Sequence, residues 1–248
     1  MATDPSPLAR RLGLLAKLTE PEMACLIDLE SAPALFERGK EIIYDGEISE
    51  TTYIVQHGWG CCFKLLANGE RQITAIVVPG DCINLRSPLR RPANYTFVAI
   101  TDLIASRIKA SRTVELFNEF PHLGVALLLV AAQDDEILVE HLISLGRRTA
   151  IERVAYFFLE LHDRLSIAGL ATETEFDCPL TQYHLADTLG LSAIHVNRML
   201  RELREAEMMS FGEHRLELLD TSRMQELAGF VGRTQNPVIV RNDSAYPQ

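Results

Sequence analysis

Four side chains in this 248-residue chain have the types and spacing to do recognisable chemistry: Ile194, Asn197, Arg198 and Arg201. At helical spacing they share one face, and outward arginine and asparagine on a short helix are the groups that read base edges in a DNA major groove. For that face to point outward the opposite one must be buried. Val196, Met199, Leu200 and Leu203 recur at helical spacing on that opposite face. The preceding segment supplies the element they pack on. Leu185, Ala186 and Leu189 share a face of another short helix, and Ala186 is small enough for a close crossing. Gly190 can take the positive φ of a sharp turn, and Ser192 can cap the second helix. Residues 180–203 therefore predict a helix-turn-helix.

The next residues add a hairpin. Met208 to Phe211 read as a strand, Gly212-Glu213-His214 as a turn, and Arg215 to Leu219 as a returning strand with alternating burial. Helix, turn, helix and hairpin in that order predict a winged helix-turn-helix, with double-stranded DNA as partner.

Upstream, β-type runs punctuated by glycine extend from about Ala34 to Lys109. Glu41 to Tyr44, Thr52 to Gln56, Cys61 to Leu66, Gln72 to Val78, Tyr95 to Ile100 and Ile104 to Ile108 are the expected strands. Their regular spacing predicts an antiparallel barrel or double-sheet roll. Leu8 to Leu18 and Glu20 to Glu30 read as short helices before it. Pro121 suits the first turn of a long helix running to about Leu145. Leu128, Ala132, Asp135, Val139 and Leu142 on that helix step by four and three, a pattern suited to pairing with a second copy or to burial within the domain. Ala150 to Ile167 form another amphipathic helix, residues 169–179 a polar loop, and Ser222 to Phe230 a last helix. The expected units are a roll over 1–120, a dimerisation helix over 121–146, a DNA-binding unit over 147–231 and a frayed tail over 232–248.

Composition limits the function classes. The length accommodates two domains, each with its own core. No run of about 18 apolar residues occurs, so no transmembrane helix is expected. The opening MATDPSPLARRLGLLAKL has no apolar core of the kind a secretory signal needs, and a cytoplasmic protein without membrane partners is expected. Five cysteines, an odd number, do not describe a disulfide framework. The net charge of −10 opposes DNA only if it sits on the contacting face. Arg198, Arg201 and Arg204 lie there, while much of the acidic excess falls at Asp134 to Glu136, Glu173 to Asp177 and Glu202 to Glu217. Strong salt dependence with modest non-specific affinity is expected. No nucleophile–base pair, phosphate-cradling loop or metal motif suggests an enzyme.

The order of roll, long helix and winged helix-turn-helix resembles the family of the cyclic-AMP receptor protein and the fumarate–nitrate reduction regulator (CRP/FNR). Gly58-Trp59-Gly60, Val78-Pro79-Gly80-Asp81, Leu145-Gly146-Arg147-Arg148, and Leu180-Thr181-Gln182 through His195-Val196-Asn197-Arg198 carry the resemblance, which spans roughly Leu8 to Phe230. It implies an α+β fold: an antiparallel jelly-roll β-roll like a cyclic nucleotide-binding domain, a long dimerisation helix, and a C-terminal winged helix-turn-helix. It also implies a homodimeric transcription regulator reading an inverted repeat, with RNA polymerase as a partner. Arg198 matches the family arginine that bonds a guanine, and Asn197 lies beside it on the same face. Thr181, Gln182, Ser192 and His195 match phosphate-holding positions, and Arg201 faces DNA. Ile194 departs from the pattern, because many relatives place a glutamate there. Isoleucine can offer only apolar contact, such as with a thymine methyl.

The sensory end departs further. Cyclic-nucleotide-binding relatives carry a glutamate after the Gly-Asp turn and an arginine for the phosphate. Here Gly80-Asp81 is followed by Cys82-Ile83-Asn84-Leu85-Arg86, and the second position reads Asn94-Tyr95-Thr96. Asn84, Leu85, Arg86, Tyr95 and Thr96 are the candidate effector residues, with Arg86 the one cation able to meet a phosphate. Cyclic nucleotide bound in the usual way is not expected, and the effector is unassigned. Cys25, Cys61, Cys62, Cys82 and Cys178 lack the clustered spacing of an iron–sulfur relative. Cys61 and Cys62, adjacent on a strand, are expected to point one inward and one outward. His57 and His122 give no haem signature, and His184, His195 and His214 lack metal-ligand spacing. The alternative reading is a ligand- or redox-sensing module with weak or lost DNA binding, with Cys178 as one redox candidate.

Overall fold

Alternating apolar residues and tight turns fold residues 33–109 into eight short strands in a computed structural model that describes residues 4–232. These are β1 (Pro33–Phe36), β2 (Glu41–Ile43), β3 (Thr51–His57), β4 (Gly60–Leu65), β5 (Arg71–Val77), β6 (Cys82–Ile83), β7 (Thr96–Ala99) and β8 (Leu103–Lys109). They pair antiparallel in two four-stranded sheets, ordered β1-β8-β3-β6 and β2-β7-β4-β5. Ile43, Val55, Cys62, Val77, Phe97 and Leu103 fill the space between them. Gly58 sits at φ +82°, and a Cβ there would lie 2.1 Å from the Asp102 carbonyl oxygen, so this turn admits only glycine.

Before the roll lie α1 (Pro7–Gly13) and α2 (Glu20–Glu30); after it come α3 (Ala110–Glu119) and the 27-residue α4 (Pro121–Arg147). Leu8, Leu12, Leu26, Ile54, Ile108, Leu116, Leu123, Ala126 and Val130 join these four helices to one face of the roll. Next comes α5 (Ala150–Ala168), begun by a capping box between Thr149 and Glu152. It leads into β9 (Glu175–Asp177), α6 (Gln182–Leu189), α7 (Ala193–Glu205), the hairpin β10 (Met209–Gly212) and β11 (Arg215–Leu218), and α8 (Thr221–Ala228).

Several expectations are corrected. The first helix stops at Gly13 rather than Leu18, and Leu15 and Ala16 reach the core from a turn. Glycine is a weak helix residue, and the next helix already starts at Glu20 with its Thr19 cap. Pro33–Phe36 is a strand despite its proline, as an edge position permits. The loop at 169–179 contains β9, the third strand of the wing sheet in the order β10-β11-β9. Cys61 and Cys62 do point to opposite faces, but both are covered: the roll interior takes Cys62, and the C-terminal helices pack over Cys61. The two halves do not keep separate cores either. One apolar cluster runs from Trp59, Cys61, Phe63, Ile73 and Ile76 on β4 and β5 into Val154, Phe158, Leu185, Val196 and Met224. The expected tail lies, from residue 233 on, outside the described residues.

A buried ion cluster ties α1, α4 and α5 to the roll. Asp81 accepts from Arg11 on α1 at 3.1 Å and from Arg164 on α5 at 2.5 Å, and its Oδ2 also accepts the Val78 N–H. Arg164 donates further to Glu160 and to the Ile76 carbonyl, and Arg11 to Asp134 and the Val130 carbonyl of α4. Burial alone would push both guanidiniums down, but the surrounding carboxylates hold them above the ordinary arginine value. Removing one partner strands a buried charge. Arg164→Ala should therefore cost about 3–5 kcal/mol in chemical denaturation; a loss below about 1 kcal/mol would mean that water replaces the guanidinium.

Candidate nucleic-acid interface

The reading unit is built from its caps. Thr181 precedes α6, its hydroxyl accepting the His184 N–H at 3.4 Å, while His184 Nδ1 accepts the Thr181 N–H at 3.1 Å. This is a capping box with imidazole in the place usually held by glutamate or glutamine. Gly190 ends α6 at φ +62°, and the Leu191 N–H returns to the Ala186 carbonyl. Ser192 then caps α7 through the His195 N–H at 3.2 Å. Leu185, Ala186, Leu189, Val196, Met199 and Leu203 are buried as expected, and Leu200 is half-buried.

That burial leaves Ile194, Asn197, Arg198 and Arg201 exposed together on α7, with Ile194 84% exposed. Gln182, at the start of α6, accepts a hydrogen bond from Asn197 Nδ2, which joins the two helices at the outer surface. Arg198 Nη2 lies 2.8 Å from His195 Nε2. Arg201 makes only a loose exposed contact with Glu205, at 3.7 Å. In the wing, Arg215 is paired with Glu175, and the turn residues Glu213 and His214 take φ of +52° and +61°.

Sequence reasoning missed what fixes this unit to the roll. Arg71 on β5 donates to Asp187 on α6 at 2.7 Å and stacks on Phe63, and Gln72 Nε2 donates to the Thr188 carbonyl. Arg153 on α5 donates to the Leu189 carbonyl at the end of α6. The partners from β5 are 116 residues from their acceptors, and no local pattern announces them.

The five candidate effector residues are not brought together. Asn84 and Tyr95 line a cavity of about 390 Å³ between the roll, α4 and α5. Leu85 turns away into the apolar cluster beneath α2 and α4. Thr96 is buried, and its hydroxyl accepts the Asp45 N–H. Arg86 bonds Asn94 and lies over the Tyr95 ring. Asn84, itself at φ +63°, gives its amide to the Ser49 and Thr51 carbonyls. The cavity wall instead carries Asp81, Asp134, Asp135, Glu160, Arg164 and His141. All five cysteines are buried, and burial pushes every thiol up, those of Cys61 and Cys178 to about 12. Among the described residues no three His, Cys, Asp or Glu side chains gather to hold a metal ion, and no helix is long and apolar enough to cross a membrane.

A β-roll docked on an outward-facing winged helix-turn-helix is the architecture of a DNA-binding transcription regulator. Residues 34–120 match the cyclic nucleotide-binding domain family and residues 152–227 the Crp-like helix-turn-helix domain family. Nitrogen fixation regulation protein FixK of Azorhizobium caulinodans is 33% identical over 196 residues, covering 79% of this chain and 78% of that protein. The chain belongs to the CRP/FNR family of transcription regulators. It is also 25% identical to the transcriptional activator protein FnrL of Cereibacter sphaeroides, over 89% of each chain. The structure of FixK2 from Bradyrhizobium japonicum superposes with a TM-score of 0.72 at 29% identity, covering 81% of this chain and 98% of that one.

The His184 cap makes the reading unit acid-sensitive. Burial, with Arg71 adding to it, pushes this imidazole below its ordinary value. The unfolded chain therefore takes up the proton first, and stability falls as pH drops below about 6.5. His184→Gln keeps an acceptor that does not titrate. The fall in Tm between about pH 7.5 and pH 5.5 should shrink in this variant. His141, also pushed down by burial, adds to the acid response in the same direction. An unchanged fall would remove His184 from the acid response.

Proposed function

We propose that the chain acts as a homodimer reading an inverted-repeat DNA site through residues 193–205 and regulating transcription by contact with RNA polymerase. Arg198 carries the reading. It stands exposed on the N-terminal half of a helix whose other face is buried, where a guanidinium can donate to guanine O6 and N7. Asn197 offers a carboxamide to an adjacent base edge, and Ile194 an apolar surface to a thymine methyl. Thr181, Gln182 and Ser192 flank this face where phosphates would run, and Arg201 extends it. The relatives named as activators favour activation over repression.

The dimer rests on α4. Leu128, Val139 and Leu142 are 62%, 54% and 63% exposed, and Ala132 and Asp135 are exposed between them. A mostly apolar stripe from Leu128 to Leu142 on this 27-residue helix is costly in water, and a second copy of the same helix would cover it. The working units are then 1–120, 121–146 and 147–231. The cavity under the roll is acidic, with four carboxylates on its wall against Arg164. A phosphate there would be opposed by charge, so the effector, if one is used, is no cyclic nucleotide held in the usual way.

Selection of binding sites from random DNA tests the reading: an enriched inverted repeat with half-sites about one helical turn apart is expected, and no enriched sequence would end it. Arg198→Ala should weaken the cognate site by about 1–3 kcal/mol and relax one base pair per half-site. Val139→Glu or Leu142→Glu should yield monomers without tight binding, measured by sedimentation and gel shift; monomers of full affinity would exclude α4 as the seam.

A further inference from the structure

His195 matches a phosphate-holding position, yet its side chain is engaged elsewhere. Its Nε2 lies 2.8 Å from Arg198 Nη2, three residues on and on the same face of α7. A guanidinium has donors only, so Nε2 must be the acceptor in this contact and Nδ1 carries the ring proton. An imidazole arranged this way presents no Nε2–H to a phosphate. Arg198 loses little by it. One of its five N–H groups is spent, and its remaining N–H groups can still form a two-pronged contact to guanine. The neighbouring side chain is held by the same logic, since Gln182 at the start of α6 accepts from Asn197.

We propose that His195 is a positioning residue for base reading: it holds the Arg198 guanidinium in its guanine-reading pose before DNA arrives. The proposal rests on Arg198 reading a base. An exposed arginine that must be immobilised on binding forfeits affinity, and pre-orienting it recovers about two- to tenfold at the cognate base pair. A phosphate contact behaves differently. It adds to every sequence equally and contributes about one unit to the slope of log affinity against log salt.

The test measures affinities of the full-length protein for the selected site and its single-base variants at two salt concentrations. The panel is wild type, Arg198→Ala, His195→Ala, His195→Gln, His195→Lys and the double alanine variant. Positioning predicts that His195→Ala loses about two- to tenfold discrimination at the base pair that Arg198→Ala relaxes, with the salt slope unchanged. The double variant should be no more relaxed there than Arg198→Ala alone, because the two residues act as one. His195→Gln, which keeps an acceptor at the same reach, should retain discrimination. His195→Lys should lose it although it adds a cation. Uniform weakening of all sequences by His195→Ala, with a slope reduced by about one and discrimination intact, would overturn the proposal and leave Arg198 as reader. An unchanged preference in Arg198→Ala would overturn that reading, and the positioning role with it.

Discussion

A carboxylate buried among apolar side chains has to be neutralised, and Asp81 meets that requirement with groups from two distant stretches of chain and from its own turn. Its two oxygens take Arg11 from α1 and Arg164 from α5, while its own turn supplies the Val78 N–H. Arg11 in turn reaches Asp134 on α4. Asp81, Arg11 and Arg164 are each too deeply buried to be tolerated alone, so the elements that carry them must arrive together. Gly80 allows the approach: it takes φ +94°, and a Cβ there would press on Pro7 at the start of α1 at 3.1 Å. Such a cluster contributes little net stability compared with an apolar replacement, but it specifies geometry, because any other arrangement leaves a charge unpaired.

That geometry sets where the reading helix stands. Since α5 is fixed to the roll by Arg164, and α6 is held by Arg71, Gln72 and Arg153, α7 inherits its position from the roll rather than from a flexible hinge. The apolar cluster shared by β4, β5 and α5 through α8 closes the same contact over a larger area. A change in the cavity wall at Asp81, Glu160 or Arg164 would act on the residues that seat the DNA-reading unit. The roll and the reading head are thus coupled by direct contact between packed elements.

Local chemistry made much of this legible in sequence. The helix-turn-helix could be read because Gly190, Ser192 and two apolar stripes agree on one local geometry, and each is a short-range signal. The roll could be read from strand spacing, though not its edge strand Pro33–Phe36 or the two-residue Cys82–Ile83, which are too short to show alternation. The strand β9 was hidden because its residues, Glu175, Phe176 and Asp177, include one apolar side chain; its pairing with β11 makes the strand. The five effector candidates do not line one cavity, for a reason of backbone direction. The strand β6 ends at Ile83, and Asn84 turns the chain in a left-handed conformation, so Asn84 borders the cavity while Leu85 enters the opposite core. The fusion of the two cores was illegible because an apolar residue on β4 reads the same whether a helix covers it or not.

Charge placement resolves the tension between a net charge of −10 and a polyanionic partner. The wing brings little help: Arg215 is committed to Glu175, and Glu213 and Glu217 lie on the same hairpin. Arg198, Arg201 and Arg204, all exposed on one helix, are therefore the main cations of the reading surface, beside Glu202 and Glu205. On the proposed reading such a face would neutralise few phosphates, which would leave sequence-independent affinity low and discrimination to base contacts. The side-chain pairs on this exposed surface, Gln182 with Asn197 and His195 with Arg198, would serve that requirement. Ile194 fits the same economy, since its exposed side chain would offer an apolar base contact without adding another carboxylate to an already acidic chain.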